Sequence, residues 1–322
     1  MSRWPRVPLT ERRFSNIHRE AAAPYYAAKV RPMKILVLRG GALGDFLVTL
    51  PALDLLRARW PQARIELVGH ARAAELALPG GTLDAVHSQH EARWATLYGR
   101  EPLPAGLHAW LSAFDLVVNF WPDPDGTLAS HFPARPGQTW VTAAAQPAVS
   151  PAARHYCEAL RPLGLATQDY RSRLSLLATG CSLRATPSIA IHPGSGSPRK
   201  NWPVERWAEL AGRMRSRSPL LIVGGEADTA AVAALAAYGE VALNLPLPEL
   251  ARRLAACQRF LGHDSGVSHL AAAVGTPGVL LFGPTDPAMW APPGEQVHVI
   301  RRGPDLSAIS VDAVWAVVAA PR

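Results

Sequence analysis

Directly behind a glycine turn, Gly40-Gly41-Ala42-Leu43-Gly44, stands the carboxylate of Asp45. The turn follows a short apolar run, Ile35–Leu38, and reads as strand, tight turn and helix start. Such turns often cradle a pyrophosphate on free amides at a helix N-terminus. A dinucleotide fingerprint, however, needs G-x-G-x-x-G, and the spacing here is G-G-x-x-G. A carboxylate beside the last glycine would also repel phosphates. Gly41 and Gly44 let the backbone turn tightly enough to present Asp45 at the helix start. By itself, the carboxylate is equally readable as a plain helix cap.

Two further stretches carry groups suited to an anion. In Ile191-His-Pro-Gly-Ser-Gly-Ser-Pro-Arg-Lys-Asn-Trp-Pro203 a strand ends in a loop of small residues with hydroxyls at Ser195 and Ser197. The loop then delivers Arg199 and Lys200 just before a helix whose first turn accepts Pro203. Amides, hydroxyls and a cation converging in a loop are what a phosphate requires, although a polar turn with incidental charge has the same composition. In Leu261-Gly-His-Asp-Ser-Gly-Val-Ser-His269, Asp264 stands at a strand end and Ser265-Gly266 open a helix, whose dipole favours an anion. His269 lies within the first turns of that helix; a lone histidine there is also readable as a structural one. Asp264 is readable as a cap.

The elements that must position these groups alternate along the chain. Strands are expected at Ile35–Leu38, Arg64–Val68, Asp115–Phe120, Ser188–His192, Leu220–Val223, Arg259–Gly262 and Gly278–Phe282. Helices are expected at Asp45–Arg59, kinked by Pro51, and at Arg72–Leu76, Arg154–Leu163, Val204–Arg215, Asp228–Ala237, Pro248–Cys257, Val267–Val274 and Val311–Val318. Short apolar strands between amphipathic helices imply parallel sheets with right-handed crossovers. Two such series make an α/β protein of two doubly wound domains, residues 33–175 and 176–322, with the last helix free to pack back onto the first. Ligands in such sheets sit at the carboxyl ends of the strands, here the cleft between the domains.

Composition narrows the function classes. Apolar residues make up 48% and charged residues 18% of the 322, ordinary for a globular protein. No apolar run is long enough to span a bilayer, and no secretory-signal pattern opens the chain. Three dispersed cysteines without a C-x-x-C suit a reducing cytoplasm and suggest neither a disulfide frame nor a zinc site. The net charge is +8, but residues 1–32 hold seven basic and two acidic side chains, leaving only +3 for the rest. That argues against nucleic-acid binding. Residues 1–32 read as a basic N-terminal extension, disordered: an arm touching anionic lipid, a leader removed or never made with Met33 as the working start, or a tail without function.

Three pieces together resemble a known family: Gly41-Ala-Leu-Gly-Asp-Phe-Leu-Val-Thr-Leu-Pro-Ala-Leu53; His192-Pro-Gly-Ser to Lys200-Asn-Trp-Pro with Trp207; and Asp264-Ser-Gly-Val-Ser-His-Leu-Ala-Ala-Ala-Val-Gly-Thr-Pro with Phe-Gly-Pro-Thr-Asp-Pro behind it. In order and separation they are similar to glycosyltransferase family 9, of the lipopolysaccharide heptosyltransferase type, from about Met33 onward. The resemblance implies a GT-B fold, two Rossmann-like domains facing across a cleft, with the acceptor on the first domain and a nucleotide sugar, commonly ADP-heptose, on the second. It implies Asp45 as general base in an inverting displacement without a metal or other cofactor. Lys200 would pair with the phosphates, Ser195 and the Ser265 and Gly266 amides would hydrogen-bond them, Asp264 would bind sugar hydroxyls, and Glu226 the ribose; His269 would also face the donor. The acceptor would be a lipopolysaccharide core or other surface glycan or glycolipid, reached at the inner face of the cytoplasmic membrane.

Other readings keep the same loops: a GT-B transferase of a different nucleotide sugar, or a non-catalytic sugar-nucleotide-binding homologue. An NAD-dependent oxidoreductase would need the missing middle glycine. The stretch from Gly80 to Pro151 matches no functional pattern and leaves the acceptor unread.

Overall fold

The computed structural model describes residues 31–175 and 188–320. The expected N-terminal extension therefore lies almost wholly outside the described residues, as do residues 176–187 of the junction expected at about residues 165–187. Residues Pro32–Arg322 form one compact unit containing two parallel sheets.

The first half runs β1 (Lys34–Arg39), α1 (Leu43–Leu47), α2 (Leu50–Arg59), β2 (Arg64–Gly69), α3 (Ala71–Ala74), β3 (Ala85–Ser88), α4 (Ala105–Leu111), β4 (Leu116–Asn119), α5 (Thr127–His131), β5 (Thr139–Thr142) and α6 (Ala152–Glu158). Its strands lie in the order β3-β2-β1-β4-β5, all parallel. The second half runs β6 (Ile189–Ile191), α7 (Val204–Met214), β7 (Leu220–Gly224), α8 (Thr229–Leu235), β8 (Glu240–Leu243), α9 (Leu247–Ala255), β9 (Arg259–His263), α10 (Gly266–Ala273), β10 (Gly278–Phe282), α11 (Pro287–Trp290), β11 (Val297–Arg301) and α12 (Val311–Ala319). Its order is β11-β10-β9-β6-β7-β8, again all parallel.

Each order reverses once, between β1 and β4 in the first sheet and between β6 and β9 in the second. Crossover helices leave in opposite directions there and open a crevice at the strands' carboxyl ends. The glycine turn follows β1, the His192 loop follows β6, and Asp264-Ser265 follows β9. All three chemistry-bearing loops thus issue at or beside a crevice, where free amides face outward rather than into a neighbouring strand.

Interior strands form because helices cover both faces, and residues such as Ile35, Leu36, Val37 and Leu38 have no solvent exposure at all. The seven strands expected from apolar runs are the seven interior ones. The four edge strands, β3, β5, β8 and β11, are half-exposed and carry at most three consecutive apolar residues, too short a run to mark a strand.

Other expectations are corrected. The single kinked helix Asp45–Arg59 is two helices, α1 and α2, separated at Val48-Thr49. Pro51 does not kink a helix; it occupies the first turn of α2, where its missing N–H has no carbonyl to serve. The helix expected at Arg154–Leu163 is α6, shifted to Ala152–Glu158. The last helix, α12, does not return to the first half. It packs on α7, with Val314 fully buried in one cluster with Trp207, Leu210 and Met214, and Arg213 paired to Asp312 at 2.6 Å.

This packing is testable. Val314→Ala removes two buried methyl groups and is expected to lower unfolding stability by about 2 kcal/mol. The measurement is the urea midpoint, with the slope unchanged; no change would place α12 outside the second core.

Candidate active site

The carboxylate of Asp45 is fixed from two sides. Its Oδ2 accepts the Ala42 N–H at 2.9 Å, and its Oδ1 accepts from Arg39 Nη2 at 3.1 Å. Arg39 ends β1 and is only 5% exposed, so its charge needs partners. Besides Asp45 it donates to Thr49 Oγ1 at 3.0 Å and to the Tyr156 hydroxyl at 2.9 Å, and its guanidinium lies over the Tyr156 ring at 4.6 Å. Burial pushes the Tyr156 hydroxyl's pKa up, against the neighbouring Arg39 charge, and keeps it a neutral partner. Gly41 is obligatory, since its φ is +110° and a Cβ there would lie 2.5 Å from the Asp45 carboxylate. Asp45 is thus the third residue of α1's first turn, bonded back to its cap residue. It remains 36% exposed, which leaves the carboxylate open to a ligand.

Opposite stands the second half. Lys200 Nζ lies 2.8 Å from Asp264 Oδ2, with Lys200 30% and Asp264 10% exposed. Ser265 caps α10, its hydroxyl accepting the Ser268 N–H at 3.3 Å, and Gly266 begins the helix. Ser195 turns inward: its hydroxyl lies 2.7 Å from the Ser197 carbonyl and 2.6 Å from Asn201 Oδ1, so it shapes its own loop. His269 is buried beneath these groups and bonded to the Trp290 backbone. Burial pushes its pKa below the ordinary value despite the Asp264 and Asp45 carboxylates nearby. It is therefore a neutral imidazole at neutral pH.

The two halves meet at glycine. A Cβ on Gly266 would lie 3.0 Å from the Gly44 nitrogen and from Leu43 Cβ. A Cβ on Gly44 would lie 3.5 Å from Gly266 Cα and 3.8 Å from His269 Cδ2. The tips of α1 and α10 therefore touch nearly backbone to backbone, bringing Asp45 to the same cleft as Lys200, Asp264, Ser265, Gly266 and His269.

Glu226 is not drawn into this cluster. It is exposed in the turn after β7, and its carbonyl accepts from Thr229. The acid that turns inward is Asp228, two residues on, bonded to His192 Nε2 at 3.2 Å and to the Gly225 N–H at 2.8 Å. Burial raises the Asp228 pKa, but the His192 and Gly225 hydrogen bonds outweigh it and hold the carboxyl below its usual range. His192 in turn places Nδ1 3.3 Å from the Ser265 hydroxyl. Behind them His263 accepts the Trp202 N–H on Nε2 at 2.9 Å, so its proton sits on Nδ1, 3.2 Å from the Gly194 carbonyl.

Sequence reasoning thus missed Arg39, Tyr156, His192, Asp228 and His263. Their one-dimensional signal is faint. Arg39 and His263 are polar ends of buried strands, and Asp228 is indistinguishable from Glu226 before the turn is folded.

Among the described residues, no group of three or more His, Cys, Asp or Glu side chains is placed to hold a metal ion, and no helix is long and apolar enough to cross a membrane. What the arrangement offers is a carboxylate facing, across a narrow cleft, a cation and the free amides of a helix N-terminus.

The model of glycosyltransferase family 9 (heptosyltransferase) matches residues 146–310. Lipopolysaccharide heptosyltransferase 1 of Pseudomonas aeruginosa is 30% identical over 300 residues, covering 83% of each chain. Its Escherichia coli counterpart is 26% identical over 317 residues, covering 88% of this chain and 96% of that one. The solved structure of the E. coli heptosyltransferase WaaC with ADP-2-deoxy-2-fluoro heptose superposes with a TM-score of 0.68 at 25% identity, over 89% of this chain and 99% of that one. Both have two Rossmann-like halves, and the fold here is GT-B.

The buried His263 yields a pH prediction. Burial lowers its pKa from 6.5 to about 3. The unfolded chain takes up the proton near 6.5 and the folded chain only near 3, so stability from the neutral ring is complete above pH 6.5 and is lost as pH falls toward 3. In His263→Gln, which retains one donor and one acceptor, the acid slope of stability is expected to shrink by up to about 1.4 kcal/mol per pH unit. Urea titrations at several pH values measure it, and an unchanged slope would show that His263 is not the group responsible.

Proposed function

The chain belongs to glycosyltransferase family 9, and from that premise we propose that it moves a heptose from an ADP-sugar to a lipopolysaccharide core or related surface glycan, with inversion at the anomeric carbon. The observation that carries the mechanism is the contact of Gly44 with Gly266, which sets Asp45 across the cleft from Lys200 and the α10 N-terminus. The donor assignment is supported by the relatives' names and by the ADP-heptose analogue in the E. coli structure.

In this reading an acceptor hydroxyl enters from the first half, and Asp45 accepts its proton as the oxygen attacks the anomeric carbon. The bond to the diphosphate breaks on the opposite face, and the leaving oxygens gain negative charge. Lys200 and the first amides of α10 compensate that charge. Lys200 pairs with Asp264, so an arriving diphosphate takes over the ammonium and frees the Asp264 carboxylate for sugar hydroxyls. Arg39 keeps Asp45 aimed at the cleft. His269, neutral, can donate or accept a hydrogen bond without adding charge. Asp228 and His192 hold the Ser265 cap, and through it the amides; Glu226, exposed beside them, remains available to a ribose. Ser195 serves by shaping its loop, so any phosphate contact there is made by backbone amides. A glycolipid acceptor sets the reaction at the cytoplasmic face of the membrane. A transferase of another nucleotide sugar would use the same residues and differ only in the sugar pocket.

Two substitutions separate the halves. Asp45→Asn is expected to lower kcat by about 100- to 10,000-fold while ADP-heptose binding, read by calorimetry, stays within about twofold. Lys200→Ala is expected to weaken that binding by about 10- to 100-fold, as loss of a charge-assisted hydrogen bond would. An Asp45→Asn enzyme of normal rate removes the base assignment, and binding of a different nucleotide sugar alone removes the heptose.

A further inference from the structure

Asp228, His192 and Ser265 come from three separate loops and form one hydrogen-bonded chain that ends at the cleft. Asp228 lies in the turn after β7, His192 directly follows β6, and Ser265 caps α10. The His192 ring is 4% exposed and spans the other two, with Nε2 3.2 Å from Asp228 Oδ2 and Nδ1 3.3 Å from Ser265 Oγ. A Cβ on Gly194 would lie 1.7 Å from Asp228 Oδ1, so only glycine there admits the carboxylate.

The hydrogens of this chain follow from its chemistry. The Asp228 carboxyl, held below its usual range, is ionised and only accepts. His192 Nε2 therefore carries a hydrogen, and Nδ1 of the neutral ring is bare. Among the described residues, the Ser265 hydroxyl is the donor within reach of Nδ1. Ser268, whose Oγ lies 3.1 Å from Ser265 Oγ, gives its own hydroxyl hydrogen to the His263 carbonyl. With the ring neutral, the one hydroxyl hydrogen of Ser265 thus points inward, while its lone pairs accept the Ser268 N–H. A second proton on Nδ1 reverses the chain. The imidazolium then donates to Ser265 Oγ, and the hydroxyl hydrogen is free to turn outward.

Charge decides when that second proton is favoured. Around the ring stand the Asp228 carboxylate, His263 at the end of β9, and Asp264 with its partner Lys200 on the far side of Ser265. Burial pushes the His263 pKa down to about 3, so this neighbour adds no charge. His269, further along α10, is also neutral, and Glu226 is exposed to solvent. Asp264 and Lys200 compensate each other. A diphosphate at the α10 N-terminus would engage Lys200 and bring its own negative charges into a half-buried region. Added negative charge stabilises an imidazolium nearby.

We propose that His192 is a positioning residue for the donor: as the nucleotide diphosphate binds, the ring takes one proton from solvent onto Nδ1 and turns the Ser265 hydroxyl toward the phosphate oxygens. Asp228 compensates the imidazolium. The proposal rests on the transferase reading and deepens it by naming what controls the phosphate contact of that site. When the bond to the diphosphate breaks, Ser265 supplies one more hydrogen bond to the oxygens that gain charge.

The test follows the His192 ring nitrogens by nitrogen-15 NMR in the full chain, with His192→Asn identifying their signals. At about pH 7.5, roughly one unit above the ordinary histidine value, the protein alone is expected to carry hydrogen on Nε2 only. Saturating ADP-heptose, whose diphosphate diester does not titrate near neutrality, is expected to place hydrogen on both nitrogens. Its Kd, read by calorimetry, should rise by about three- to tenfold from about pH 7 to about pH 8, as uptake of up to about one proton requires. His192→Asn and Asp228→Asn should each weaken binding by about three- to tenfold at about pH 7, the worth of one hydrogen bond, and flatten that pH dependence. Hydrogen on Nδ1 in the protein alone, a ring unchanged by ADP-heptose that binds, or an affinity loss equal at every pH overturns the relay and leaves the transferase reading standing. ADP-heptose that fails to bind the wild type overturns the donor reading, and the relay with it.

Discussion

Everything at the cleft depends on two glycines lying almost backbone to backbone. Gly44 sits at the tip of α1 and Gly266 at the tip of α10, and a methyl group on Gly266 would already press on the Gly44 nitrogen. Any side chain at Gly266, or one larger than a methyl at Gly44, would press the helix tips apart, because neither backbone can retreat without disturbing the strand that feeds it. The contact sets the separation between the carboxylate of one half and the cation and amides of the other. Distance governs whether a base and a leaving-group stabiliser can act on the same atom pair.

Around that contact, charges are compensated in pairs within each half. Arg39 holds Asp45 and Lys200 holds Asp264, while hydrogen bonds from the Gly225 N–H and to the His192 ring hold the Asp228 carboxylate. An uncompensated charge at these levels of burial would be costly, so each buried ion of the cleft has a partner. The pairs differ in what a ligand can do to them. Arg39 is buried and bound by Thr49 and Tyr156 as well, so it positions and does not leave. Lys200 is the more exposed member of its pair and, among the described residues, has one carboxylate partner, so it can change partners at less cost in desolvation than Arg39. One half thus offers a fixed carboxylate and the other a cation whose partner can exchange.

An aromatic cavity beside the glycine turn follows from the same topology. The strand order of the first sheet reverses between β1 and β4, and the loops after β1, β3 and β4 surround the resulting crevice. Trp94 and Trp121 are core residues first, and only their edges reach the cavity. A cavity walled by core residues is rigid by construction, because moving its walls would disturb Leu36, Leu38 and Val117 behind them.

The sequence by itself determined the interior of both sheets, the two-series architecture and the loops that carry the chemistry. Apolar runs such as Ile35–Leu38 admit no other environment than one covered on both faces, and glycine, serine and lysine at strand ends leave few alternatives for their loops. Tertiary structure alone decided the edge strands, whose half-exposed residues become strands only because a neighbour offers its backbone. It also made Asp228, not Glu226, the buried partner of His192, and turned Pro51 from a kink into a helix start. It closed Lys200 onto Asp264 and assembled Gly40, Gln89, Trp94, Tyr98 and Trp121 into one cavity. Each of these is a relation between residues distant along the chain or a choice between adjacent ones. Local propensity cannot contain such a relation, because its energy comes from the partner that folding supplies.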